Sequence, residues 1–280
     1  MSSTSKVDSR RTRALNEQAV GDGPVVYVMG REQRVLDNWA LHYAAAAALE
    51  RSVPLLVVFV VGPQFNNGSR RHNEWMVASL KEVEAECQDR GIPFYVECGE
   101  WAQTVCQFAD THQAGEVVFD FNPLQPVRGW REEAAKRLAM RATEVDARNI
   151  VPCWQASNKA EFAAHTFRPK IHKQLKEFLT EYPKLYVPTE TYPGPAPTHD
   201  WEAVSKYRDV SIEAPLPEWI TPGPAAAANV LDTFLEDRLN DYSAKRNDPN
   251  ESVLSNLSPY LRWGNISSQR AALAVEAMRG

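Results

Sequence analysis

Ser255, Asn256 and Ser258 fall within four positions of one another, and Pro259 follows directly. Serine before proline is a helix-start signal, because a serine oxygen accepts an orphan N–H and proline suits the first helical turn. Leu254, Ser255, Asn256 and Leu257 therefore precede the positive end of a helix, where hydroxyl, amide and backbone donors could hold a pyrophosphate. Such a site needs no glycine-rich loop. The chain has neither G-x-G-x-x-G nor G-x-x-x-x-G-K-[ST], so dinucleotide and P-loop readings have no motif behind them. An ordinary buried helix with a Ser-Pro start gives the same pattern from this segment alone.

Other residues with chemical potential are scattered. Tyr242 lies twelve residues before Leu254, and Arg246 follows four residues later. Lys170, Lys173 and Lys176, spaced by three, give a partial basic stripe or a solvated face. Trp39, Trp75, Trp130 and Trp154 sit in apolar patterns and are expected in the core. Asp120 follows an apolar strand and could bond a chromophore or cap the next turn. None of the six histidines forms a metal-like pair, and the four cysteines, Cys87, Cys98, Cys106 and Cys153, lack C-x-x-C spacing. That argues against zinc and a disulfide framework and fits a reducing, intracellular compartment.

These residues need a scaffold, and the apolar patterning specifies one. Short, near-continuous apolar runs at Val25–Met29, Pro54–Val61, Pro93–Val96, Glu116–Phe119 and Thr143–Val145 alternate with helical patterns at Asp37–Arg51, Arg70–Arg90, Trp101–His112 and Val127–Met140. The alternation predicts an α/β fold with a doubly wound, parallel, five-stranded sheet covered on both faces. Ligands in such sheets bind where the winding reverses, which places Met29–Arg34 and Asp120–Pro123 around a crevice. Residues 1–24 read as a disordered leader without a secretory apolar core, and 25–154 as the α/β domain. Nine prolines between Pro183 and Pro224 mark 155–224 as an interdomain linker, with 225–280 helical beyond it. In that last part, Ala225–Asn240 reads as a helix and Asp241–Val253 as a polar loop. The longest apolar run, Val53–Val61, is too short for a membrane span, and a net charge of −5 requires any nucleic-acid contact to use a local patch.

The blocks in order resemble the class II cyclobutane pyrimidine dimer photolyases. Leu254 to Gly264, with Ile266 and Ser267, is similar to the family's L-S-N-L-S-P-[WY]-L-x-[FW]-G-x-I-S segment. Arg11, Arg13, Leu15 and Asn16 resemble its basic lead-in, and Val25 to Leu41 its first strand and helix start. Asp120–Leu124 with Arg128 and Trp130, Val145–Trp154, and Thr166 with Arg168–Lys173 match further blocks. The departures are Gly30, Glu32, Asn122, Gln125, Arg148, Tyr260 and Asn265. Gly30 is expected to loosen the turn after the first strand, and Arg148 to add a permanent charge at the sheet edge.

The resemblance implies light-dependent repair of UV-damaged DNA by a monomeric carbon–carbon lyase, through electron transfer from excited reduced FAD. It assigns FAD contacts to Tyr242, Leu254, Ser255, Asn256, Leu257 and Ser258, and a DNA contact to Arg246. It also implies an antenna chromophore of deazaflavin or folate type in the α/β domain, and no acid, base or nucleophile. In the family most of the flavin pocket lies beyond the position of Gly280, so the chain is expected to be a truncated form. Two other functions fit the pattern: a cryptochrome-like photoreceptor, and a chromophore-binding α/β module without repair.

Overall fold

The computed structural model describes residues 7–63, 68–208 and 212–278. Its centre is a six-stranded sheet of β1 (Thr12–Ala14), β2 (Val25–Met29), β3 (Leu55–Val61), β4 (Phe94–Cys98), β5 (Glu116–Asp120) and β6 (Arg141–Val145). The spatial order is β1-β6-β5-β2-β3-β4. The five parallel strands expected from the sequence are present, and β1 adds a sixth, antiparallel to β6. Every residue of β2, β3 and β5 is buried, as two covered faces require.

Alternation along the strands divides the core in two. Tyr27, Met29, Val57 and Phe59 pack with α1 (Trp39–Arg51) and α2 (Arg70–Asp89). Val26, Val28, Leu56 and Val58 pack with α3 (Trp101–Thr111) and α4 (Val127–Arg137). Each fully buried side chain of this kind contributes roughly 1.5–3 kcal/mol. Winding runs outward from β2 through β3 to β4, then returns to β5 and β6, so the carboxyl ends of β2 and β5 flank the switch point.

The leader expected over 1–24 is corrected from Val7 onward; Met1–Lys6 lie outside the described residues. Arg11 is 1% exposed, and its guanidinium donates to the carbonyls of Asn149 at 2.8 Å and Ile150 at 2.6 Å. It also lies 5.0 Å from the Trp39 ring. The lead-in is held by polar bonds rather than by an apolar stripe, so periodicity carried no sign of it.

The stretch 155–224 is also more ordered than the linker expected there. It contains α6 (Ala164–Phe178) and α7 (Trp201–Tyr207), preceded by α5 (Cys153–Ala156). Its proline-rich part is strapped to the α/β domain: Tyr95 donates to the Pro195 carbonyl at 2.9 Å, His112 and Tyr192 share a 2.6 Å hydrogen bond, and Trp201 donates to Glu84 at 3.0 Å. Prolines remove helical period, but their carbonyls still accept bonds.

The last part holds α8 (Pro224–Asp237), α9 (Leu239–Lys245), α10 (Ser258–Trp263) and α11 (Ser268–Ala277). The loop expected over 241–253 therefore opens inside a helix. All four cysteines are free, no helix of the described residues is long and apolar enough to cross a membrane, and those residues hold no metal-like cluster.

Candidate functional site

The residues singled out from the sequence gather in two places, and α10 lies between them. The first is the turn before α10. Ser258 is the first residue of that helix and not its cap, because Leu257 occupies the cap position without a side-chain bond. The turn is set by Asn256, which adopts a left-handed φ of 57°, and by Ser255, whose hydroxyl accepts the Leu257 N–H at 3.4 Å. Asparagine tolerates that conformation better than most residues.

Leu257 anchors the turn in an apolar cluster with Trp75, Leu231, Phe234 and Tyr260, while Asn256, Ser258 and the half-exposed Leu254 face outward. Tyr242 joins the same cluster, edge-on to Phe234 with ring centres 5.4 Å apart. Arg238 bridges the two segments by donating to the Leu254 carbonyl at 3.2 Å. The structure thus brings Tyr242 and Leu254–Ser258 into one neighbourhood. Arg246 is exposed and lies 5.6 Å over the Tyr242 ring. The donor set suits FAD at its phosphate edge: outward hydroxyl and amide groups precede a helix whose first N–H groups have no intrahelical acceptor.

The second place is the switch-point crevice, a cavity of about 200 Å³ between Met29–Gln33 and Asn122–Leu124, walled by Phe59, Met76 and Trp263. Its position matches the sequence expectation. Asp120 shapes it: one carboxylate oxygen accepts from Tyr27 at 2.7 Å, and the other from the Gly30 N–H at 2.9 Å and the Glu32 N–H at 3.3 Å. Asp120 therefore fixes the β2 turn through groups of its own chain. Burial, then the charge of Glu32, raises its carboxyl to about 7.

Gly30 is not needed for conformational freedom, since a Cβ there would meet Asp120 no closer than 3.6 Å. Arg148 pairs with Glu32 at 3.3 Å and donates to the Leu261 carbonyl at 3.3 Å. It holds α10 instead of unsettling the sheet edge. Trp39 and Trp75 are buried as expected, while Trp130 and Trp154 are half-buried. Of the lysine stripe, Lys170 is bonded to Glu161 and Ser157, and Lys173 and Lys176 are exposed.

Sequence reasoning missed the polar seam joining α10 and α11 to the α/β domain. Trp75 donates to Asn265 at 2.8 Å, Asn265 to the Gln33 carbonyl at 3.2 Å, and Arg34 to the Gly264 carbonyl at 2.8 Å. Farther along, Gln269 Oε1 accepts from Trp39 at 3.1 Å and Arg11 at 3.4 Å, while its amide donates to Thr180 at 2.6 Å. A visible signal was the density of Asn, Ser and Gln just after Gly264 in a run that otherwise reads as two small helices.

A doubly wound sheet, a strapped connection and a helical unit seated on the switch-point side define a two-part α/β-then-α protein. The DNA photolyase family model matches residues 25–190, and the chain belongs to that family. It is 39% identical to the deoxyribodipyrimidine photo-lyase of Potorous tridactylus over 91% of this chain and 48% of the relative. It is 38% identical to that of Arabidopsis thaliana over 100% and 59%, and 33% identical to that of Methanothermobacter thermautotrophicus over 95% and 60%. The chain thus spans about half to three fifths of these relatives' length. Among solved structures, a Synechocystis cryptochrome matches with a TM-score of 0.69 over 92% of this chain and 56% of that one, at 19% identity. A class III photolyase from Agrobacterium tumefaciens matches at 0.65 over 92% and 54%, also at 19% identity. These two similarities speak for the fold.

Proposed function

We propose that this chain serves light-dependent DNA repair as a photolyase of class II, with FAD as catalytic cofactor and cyclobutane pyrimidine dimers in UV-damaged DNA as substrate. The observation that carries the reading is the joint placement of Tyr242 and Leu254–Ser258 around one apolar cluster beside the start of α10. Identity of 33–39% to three deoxyribodipyrimidine photo-lyases supports it.

Ser255, Asn256, Ser258 and the first N–H groups of α10 would hold the phosphates, with Tyr242 packing nearby. The chemistry that bound FAD supplies is light-driven electron donation to the dimer. The protein's part is to orient and to exclude water. Leu257 keeps the turn rigid by its burial, and the seam at Gly264, Asn265 and Gln269 fixes α10 and α11 against the sheet. Arg246, exposed beside Tyr242, would meet the DNA strand, and a flipped-out dimer is the form in which such an enzyme reaches its substrate. The switch-point crevice would take the antenna chromophore, of deazaflavin or folate type. The same reading makes the protein an intracellular monomer.

The test is flavin retention: the purified chain is incubated with FAD, freed of unbound ligand, and scanned in the visible range. A retained flavin band that is reduced in Asn256→Pro supports the site. No retained flavin, or equal retention by the variant, overturns it.

A further inference from the structure

The outer face of α6 carries cations that the rest of the chain leaves unpaired. Phe167, Ile171 and Leu175 turn inward with Phe178 and pack on Val151 and Ala156. The opposite side holds His165, Arg168, His172, Lys173 and Lys176, all of them exposed. At 3.6 residues per turn these five fall within an arc of about 140°, and Arg168 and Lys176 stand about 12 Å apart along the helix axis.

The carboxylates that flank the arc are engaged elsewhere, Glu161 with Lys170 and Glu177 with Arg10 at 2.6 Å. Arg168, Lys173 and Lys176 form no ion pair among the described residues. Lys173 and Lys176 are nearly one turn apart, and like charges at that spacing destabilise a helix. A polyanion laid along the arc would relieve that repulsion, because each of the three cations would then face a negative group.

A membrane surface is the poorer fit. A helix that lies in a bilayer interface buries its apolar face there, and the apolar face of α6 is already taken by Val151 and Ala156. Duplex DNA asks only for the cationic face. It presents one negative charge per roughly 1.7 Å of its axis, so several phosphates fall within the length of the arc. A regular line of cations suits that polymer better than the scattered carboxylates of an acidic protein. With a net charge of −5 on the whole chain, attraction to DNA has to come from a local patch of this kind.

We propose that the outer face of α6 is a second DNA-contacting surface, with Arg168, Lys173 and Lys176 meeting backbone phosphates of the duplex without sequence preference. This rests on the reading of DNA as partner given above and adds to Arg246 a surface that holds undamaged duplex. None of the three residues belongs to the flavin turn before α10 or to the switch-point crevice.

The experiment is an anisotropy titration of the full chain with a fluorescein-labelled, undamaged duplex, in darkness and at several salt concentrations. Repair plays no part in it, so a failure here and a failure of the repair reading are separate results. Each phosphate contact adds about 0.9 to the slope of log affinity against log salt, so Arg168→Gln, Lys173→Gln and Lys176→Gln combined should reduce the slope by about 2–3. The same variant should bind at least about tenfold more weakly at low salt. Lys173→Arg with Lys176→Arg should keep both slope and affinity, since a phosphate accepts either cation. Lys81→Gln, Lys136→Gln and Lys184→Gln combined remove the same charge from exposed positions elsewhere, and should change the slope by less than about 1. No binding by the wild type, a slope unchanged in the α6 variant, or an equal change in the scattered variant overturns the proposal. So does displacement of the labelled duplex by phosphatidylserine vesicles or polyglutamate at lower charge concentration than unlabelled duplex requires.

Discussion

Gly264 presses so closely on the main chain of Arg31 that a Cβ added to it would stand 2.2 Å from the Arg31 carbonyl oxygen and 2.6 Å from the Glu32 Cα. Its φ of +69° adds a second constraint, since left-handed backbone disfavours any Cβ. Gly264 is therefore the point where the helical part meets the turn that lines the crevice. Gly264→Ala should destabilise the protein by at least about 2 kcal/mol, through strain at the glycine and displacement of α10. Urea unfolding gives the value, and a change below about 0.5 kcal/mol would contradict the contact.

At Gly30 the opposite result is expected. An added Cβ meets Asp120 only at ordinary van der Waals distance, 3.6 Å and beyond, and the residue does not use the glycine-only region. Gly30→Ser should change stability by less than about 0.5 kcal/mol. A large loss in the same urea series would mean that the β2 turn needs a glycine after all.

The Gln269 side chain gathers donors from two distant segments, Arg11 before the sheet and Trp39 on α1. Gln269→Leu would leave the buried indole N–H without its acceptor and free the Thr180 carbonyl. A cost of about 1–3 kcal/mol is expected. Trp39→Phe in the Gln269→Leu background should cost less than Trp39→Phe alone, and additive losses in that double-mutant cycle would show that the pair is not coupled.

Asp120 gives a pH signature. Its carboxyl is lifted from 3.8 to about 7, by burial first and by the charge of Glu32 second. An acid whose pKa is raised on folding takes up a proton as the chain folds, so its contribution is fully present below the unfolded value and is lost as pH rises through the folded one. The stability of the wild type relative to Asp120→Asn should therefore decline between about pH 4 and 7. Unfolding free energies at several pH values test this, and a flat difference would place the carboxyl near its ordinary range.

The strands were legible because β2, β3 and β5 are buried on both faces and so read as unbroken apolar runs. The switch point followed from the winding that those strands imply. Arg11 and β1 were not legible, since Arg11 is held by guanidinium bonds to the carbonyls at 149 and 150 and β1 by backbone pairing with β6, and neither has a period along the chain. The helix start at Ser258 lies where the sequence puts it, but Ser258 was read as a cap because Ser-Pro is a local signal. The left-handed Asn256, which makes the turn, is a backbone property that its side chain permits without requiring.

The most direct test of the account is repair itself. The purified chain is loaded with FAD, reduced without oxygen, and mixed with oligothymidylate carrying cyclobutane dimers, and thymine absorbance is followed under blue light and in darkness. Thymine absorbance should recover in the light and stay unchanged in the dark. No recovery in the light from a chain that has bound and reduced its flavin would contradict it.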